Sequence, residues 1–156
     1  DQYSAFLYYY SNSIWKLEGN TEFADKLILL NRALSGMWFS YKNNLPDIFL
    51  FIHPVGTVLG NANYSDYLVI LQDVTVNTIE DANGNFRLNI GKGCFLSAGS
   101  KIIGNSSVGD WCTGGVNTVL NNKILPDNNL AYNNTEGKLI IQQHDNYHII
   151  SKCFLM

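Results

Sequence analysis

The chain is poor in charge, in cysteine and in long apolar runs. Charged residues make up 15% of its 156 residues and hydrophobic ones 46%. That balance excludes a disordered, highly solvated chain and supplies a real core for one domain. Ten basic residues against 13 acidic give a net charge of −3. With no Lys/Arg cluster anywhere, the chain lacks the electrostatic footprint of a nucleic-acid binder. Three cysteines are too few, and odd in number, for a disulfide framework, and they fit a reducing compartment. No apolar run approaches the roughly 20 residues of a membrane span. The longest, IFLFI at 48–52, is strand-sized. No basic region followed by a small-residue cleavage site opens the chain, so the expectation is a cytoplasmic enzyme or binding protein without a signal peptide.

Periodicity changes near residue 45. Before it, Phe6, Tyr10, Ile14 and Leu17 recur every three or four residues, and Phe23, Leu27, Leu30 and Leu34 do the same. This predicts helices over about 3–17 and 22–35, stopped by Gly19 and Gly36, with Thr21 as the second N-cap. After Pro46 and Asp47 the period becomes six. Ile52, Val58, Tyr64, Ile70 and Val76 form one series; Ile90, Leu96, Ile102, Val108, Gly114 and Leu120 form a second. Four residues after most anchors stands a compact one: Gly56, Ala62, Val74, Cys94, Ser100, Ser106, Cys112 and Thr118. Leu68 is the bulky exception.

Three six-residue segments make one triangular coil of 18 residues, and coils stack at about 4.8 Å. The reading is a mainly β protein: a left-handed parallel β-helix with a short α-helical N-terminal segment. It divides into a helical segment 1–45, a β-helix 46–141 and a tail 142–156. Between Val76 and Ile90 a polar, turn-rich stretch reads as a loop extruded from one corner. Leu139 to Ile141 reads as a closing strand, and the tail, ending in CFLM, packs on a neighbour or folds back. Cys94 and Cys112, 18 apart, read as stacked buried thiols.

Ile52-His53-Pro54, Ile70-Leu71-Gln72-Asp73-Val74-Thr75, Ile90-Gly91-Lys92-Gly93 and Ala98-Gly99-Ser100-Lys101-Ile102-Ile103-Gly104-Asn105 follow one another in an order that resembles the serine acetyltransferase branch of the hexapeptide-repeat acyltransferases. The resemblance implies an acetyl-CoA-dependent acetyltransferase without a metal. It also implies a homotrimer that holds acyl-CoA in a groove between neighbouring β-helices, and a histidine that activates a hydroxyl or amine of a small acceptor. The sequence departs from that pattern twice. One coil separates Ile52 from Ile70, so the branch's Asp-His pair between these motifs is absent. Phe86-Arg87-Leu88 stands where the branch has Arg-His-Pro. Serine, a sugar and a nucleotide sugar therefore remain open as acceptors.

Such chemistry needs a proton acceptor, donors for the oxyanion and a groove for the pantetheine arm. His53 is the candidate general base, with Asp66 or Asp47 to orient it. Gln72, Asp47 and Arg87 are candidates for acceptor binding, Arg87 through its planar fork. Ser97, Ala98 and Gly99, with Gly114 and Gly115 one coil on, are candidates for the CoA arm through close backbone approach, and Lys138 for its phosphates. His144 and His148 are reserve bases. Two other readings stand beside this one. A non-catalytic β-helix scaffold would have kept the fold without the histidines. A γ-carbonic-anhydrase-like metal enzyme would need three converging histidines.

Overall fold

The structure is a computed structural model that describes residues 1–77 and 79–155. Met156, the last residue of the CFLM ending, lies outside the described residues. Two helices, α1 (Gln2–Glu18) and α2 (Thr21–Ser35), precede a parallel β-solenoid of about five turns. Both helices end on glycines in the left-handed region, Gly19 and Gly36. The second N-cap is Asn20 rather than Thr21: its side chain accepts a hydrogen bond from the Phe23 N–H. An Asn carbonyl oxygen reaches that orphan donor as well as a Thr hydroxyl does.

The solenoid has three faces. Face one holds β2 (Phe49–Phe51), β5 (Leu68–Ile70), β8 (Phe95–Leu96), β11 (Thr113–Gly114), β14 (Asn129–Asn133) and, antiparallel at the end, β15 (Leu139–Gln143). Face two holds β1 (Trp38–Phe39), β3 (Val58–Leu59), β6 (Thr75–Val76), β9 (Lys101–Ile103) and β12 (Val119–Asn121). Face three holds β4 (Asn63–Tyr64), β7 (Asn89–Ile90), β10 (Ser107–Val108) and β13 (Ile124–Leu125). One column of inward side chains runs up each face. Phe51, Ile70, Leu96, Gly114 and Ala131 stack on face one, and Phe39, Leu59, Val76, Ile102 and Leu120 on face two. Tyr64, Ile90, Val108 and Leu125 stack on face three. Almost all are fully buried.

From Ile70 onward the anchors are those the repeat gives, with Ile90 over Val108 and Leu96 over Gly114. The first coil differs. Phe51, not Ile52, lies under Ile70, and Leu59, not Val58, lies under Val76. The turn between them is two residues longer than the repeat, and it carries His53 and Gly56, both at positive φ. The repeat also outlasts Leu120, because Leu125 and Ala131 are still inward and buried.

Helix α1 plugs the open N-terminal end. The Tyr8 ring meets Phe39 and Phe49, and its hydroxyl donates to the Asn43 carbonyl at 2.8 Å while accepting from the Leu45 N–H at 3.1 Å. The buried side of the helix pair shares only Ile14 and Leu27 with the apolar stripe read from the sequence. It is Ser4, Leu7, Tyr8, Ser11, Asn12 and Ile14 on α1, and Ala24, Leu27, Ile28 and Asn31 on α2. The polar members are satisfied. Ser4 donates to Asn31 Oδ1, Asn31 returns a bond to the Ser4 carbonyl, and Asn12 donates to the Tyr41 carbonyl.

The tail folds back as α3 (Tyr147–Phe154). Asn146, fully buried, donates to the carbonyls of Gly93 and Cys112 and accepts from the Thr113 hydroxyl at 2.8 Å. Tyr147 packs on Trp111, and Phe154 on Tyr67.

Candidate functional site

Where face one turns into face two, successive coils are tied together by backbone bonds. The Asp73 N–H donates to Val55, Gly99 to Gln72 and Asn117 to Ala98, and the Asn133 side chain donates to the Asn117 carbonyl. This edge therefore carries, in order, His53, Gln72, Ser97-Ala98-Gly99 and Gly114-Gly115. Above them is the β14–β15 hairpin, whose exposed Lys138 is held by its N–H bond to Asn134 Oδ1. Most of the residues that the sequence singled out for base and CoA contacts thus lie along one line. At about 4.8 Å per coil, that line runs most of the length of the solenoid.

His53 sits at the lower end of this line with φ 48, a conformation that is uncommon outside Gly and that Asn, Asp and His adopt more readily than other residues. Its ring is 81% exposed, and Nδ1 stands 3.5 Å from Asp1 Oδ2. The cleft around it, about 240 Å³, lies between the helices and the first coil. It is lined by Asp1, Tyr3, Asn31, Leu34, Ser35 and Pro54 among others. Asp1 and the helix residues were not visible as site residues in the sequence, because no spacing in the repeat points to them. Nδ1 faces a carboxylate, so Nε2 is the nitrogen left to take a proton.

The small residues of the edge pack tightly. The N–H groups of Ser97, Gly99 and Gly115 donate to Gly114, Gln72 and Ala131 of adjacent coils. These three are spent in the ladder and are not free for an amide-rich arm. A Cβ on Gly115 would lie 2.7 Å from the Ala131 carbonyl oxygen, and one on Gly99 would overlap Asn117 Oδ1. Gly114 meets only ordinary contacts. What the edge offers outward is a low profile at Ala98 and the Lys138 ammonium, since the Gln72, Ala98 and Gly114 carbonyls also accept bonds within the stack.

Asp66 and Asp47 are elsewhere, on the edge between faces three and one. There they line a cleft of about 590 Å³ with Tyr64, Ser65, Lys92 and Asp110. Asp66 Oδ1 accepts from the Ile48 N–H, just as Asp110 accepts from Lys92 and Asp127 from Asp110, one coil apart each time. These carboxylates tie coil to coil. Within one chain Asp66 and Asp47 do not meet His53; Asp1 does. Arg87 is on the third edge, at the root of the extruded loop, where Glu80 and Phe86 bridge and Asp81 Oδ1 accepts from the N–H groups of Asn83 and Asn85. The Asn85 and Asn83 bonds hold the Asp81 carboxyl below its ordinary range. His144 donates its N–H to Asn128 in the last coil, so the tail histidines are at the other end of the solenoid from His53. Cys94 and Cys112 are buried in neighbouring coils, with their sulfurs directed at the Gly109 and Pro126 carbonyls. Burial raises both thiol pKa values and makes them poor nucleophiles.

No protein-family model and no curated protein sequence matches the chain. Solved structures do. A serine acetyltransferase from Neisseria gonorrhoeae superposes with a TM-score of 0.76 at 18% identity, over 91% of this chain and 54% of that one. The soybean serine acetyltransferase apoenzyme gives 0.72 at 22%, over 88% and 56%. The enzyme from Vibrio cholerae O1 gives 0.74 at 22%, over 92% and 55%. The chain spans little more than half the length of these proteins. In architecture it has the hexapeptide-repeat β-helix fold of the serine acetyltransferases, as the order of its motifs led one to expect.

Proposed function

We propose that this chain is a CoA-dependent acetyltransferase acting on a hydroxyl or amine of a small acceptor. The observation that carries the reading is the single edge shared by His53, Gln72, Ser97-Ala98-Gly99, Gly114-Gly115 and the hairpin of Lys138. It occurs on a fold whose solved serine acetyltransferase examples include complexes with CoA, serine and cysteine. In this reading His53, steadied by Asp1, removes the proton from the acceptor as its oxygen or nitrogen attacks the thioester carbonyl. The C–S bond breaks, the acyl group passes to the acceptor, and the sulfur of CoA takes up a proton. The pantetheine arm lies along the edge against the low profile at Ala98. Lys138 meets its phosphates. A homotrimer supplies the other wall of the groove, where Arg87, Asp47 and Asp66, on the remaining two edges, face the acceptor.

The acceptor is a serine, a sugar or a nucleotide sugar, since the sequence lacks the coil that holds the serine acetyltransferases' Asp-His pair. Full-length protein with acetyl-CoA and a panel of these acceptors, followed by thiol release, is the direct test. Turnover with one class, dependent on His53, supports the reading. Failure to bind acetyl-CoA sinks it in favour of a non-catalytic scaffold. The use of the Ser97, Gly99 and Gly115 N–H groups within the ladder is the one observation that favours this second reading.

A further inference from the structure

The His53 cleft has a neighbour on the other side of Asp1. A second cleft, of about 270 Å³, lies between α1 and the first coil, with Ala5, Phe6, Tyr9, Phe49 and Leu50 in its wall. Asp1 belongs to the walls of both clefts, and its carboxylate is turned to His53 Nδ1 at 3.5 Å. A stacked pair of rings also joins them. Tyr3 lines the His53 cleft and Phe6 the second one, and the two rings lie 5.9 Å apart. The second wall is held in place. The Tyr9 hydroxyl donates to the Asp47 carbonyl at 3.0 Å, the Tyr9 ring lies 5.5 Å from Phe49, and Phe49 lies 4.9 Å from Phe51.

Chemistry and size select the occupant. Among the described residues that line the recess, Asp1 alone is charged. A charged or sugar-like ligand therefore finds few partners there, whereas a hydrocarbon chain gains by leaving water. An acetyl group ends within reach of His53 and leaves the recess to water. A longer acyl group held at the same point begins at the wall of Asp1 that the two clefts share, and its chain continues into the recess. At interior packing density and about 30 Å³ per water-sized group, the recess holds about four to eight carbons. We infer that the donor site extends past Asp1 and takes straight acyl groups of that length more tightly than acetyl, with Ala5, Phe6, Tyr9 and Phe49 setting the limit. This rests on the acyl-CoA reading above and alters the donor alone.

Isothermal titration of the full chain with CoA and with acetyl-, butyryl-, hexanoyl-, octanoyl- and dodecanoyl-CoA tests this without an acceptor. Affinity is expected to rise by up to about fourfold per methylene from acetyl to hexanoyl and to stop rising by dodecanoyl. The heat-capacity change of binding should grow more negative over the same range. Ala5→Leu, which fills the recess from the helix side, is expected to cut the hexanoyl-to-acetyl affinity ratio about tenfold. Phe6→Ala removes a wall ring that is already 54% exposed, so it decides the matter if Ala5→Leu misfolds; it should lower the same ratio about fourfold. Equal affinity for acetyl- and hexanoyl-CoA, or a ratio that neither variant moves, overturns the recess and leaves acetyl transfer standing. Variants that change the mass of the protein in solution but not this ratio assign the recess to a protein occupant and overturn it as well. Failure to bind CoA and every thioester, acetyl-CoA included, overturns the acyl-CoA reading itself and this inference with it.

Discussion

Gly91 lies directly beneath Gly109, one coil of 18 residues away, and a Cβ built on Gly91 would stand 2.5 Å from both the carbonyl carbon and the carbonyl oxygen of Gly109. Backbone cannot swing aside as a side chain can. Gly91→Ala should therefore destabilise by about 1–3 kcal/mol, the usual cost of overpacking. At this chain length that lowers the melting temperature by about 2–4 °C per kcal/mol. Gly84 is the control. It has φ 82 in the extruded loop, with open space around it, so Gly84→Ala should cost only the left-handed strain of about 1–2 kcal/mol. Thermal melts of the two variants should rank them in that order when read as a cooperative loss of the coils; equal, negligible shifts would show that the coils can part locally.

The left-handed backbone at His53 determines which variant tests it fairly. Alanine at φ 48 adds strain of its own, whereas Asn tolerates that region. His53→Asn is expected to keep the wild-type melting temperature and to lose about 10²–10⁴-fold in turnover with acetyl-CoA and the best acceptor. Turnover within a few-fold of wild type would remove His53 from the chemistry. Asp1→Asn, measured alongside, should lower turnover less, since it disturbs only the orientation of the ring.

Asn146 joins two adjacent coils to the last helix through one buried carboxamide. Asn146→Leu leaves the Thr113 hydroxyl and the Gly93 carbonyl without these bonds, at a cost of about 1–3 kcal/mol each. The expected signature is local: faster hydrogen exchange across 147–154 and a change in Trp111 fluorescence as Tyr147 withdraws, with the coils around Ile90–Leu120 still protected. Uniform loss of protection throughout the chain would contradict it.

Burial pushes the Tyr8 phenol up to about 12 from its ordinary 10.0. Between those two pH values the unfolded chain has released a proton that the folded chain still holds. The Tyr8 contribution to stability is therefore complete below pH 10 and falls as pH rises toward 12. Tyr8→Phe should be less stable than wild type near pH 8, because the Asn43 carbonyl and the Leu45 N–H lose their partner. The gap should narrow between pH 10 and 12. Urea midpoints across that range check the sign; a gap that widens with pH would refute it.

The coils from Ile70 upward could be read from the sequence because each has one aliphatic anchor and one compact corner residue in strict phase. The first coil could not. The run IFLFI offers two inward choices one residue apart, and the longer turn at His53 shifts the phase by one in each direction. The helices were misread for a different reason. Apolar spacing identified Phe6, Tyr10, Phe23 and Leu34 as packing residues, but these are exposed, and the buried sides carry Ser4, Asn12 and Asn31, polar residues that are inward because Ser4 and Asn31 bond each other and Asn12 bonds the Tyr41 carbonyl. As for the site, the edge was legible as a set of residue types. That Asp66 ties coils while Asp1 faces His53 was not legible, since nothing in a period of six relates a corner to the start of a preceding helix.

Each coil of this solenoid is a template for the next, so the last rung has to be terminated. A parallel stack left open would offer its top strand to the bottom of another molecule, a route to fibres of unlimited length. The chain reverses direction after Asn133 and lays β15 antiparallel on β14, residue by residue from Asn129 with Gln143 to Asn133 with Leu139. At the other end α1 and α2 cover the first rung. On face one the parallel stack thus ends in a strand of opposite direction, and the hairpin that carries Lys138 is also what ends it.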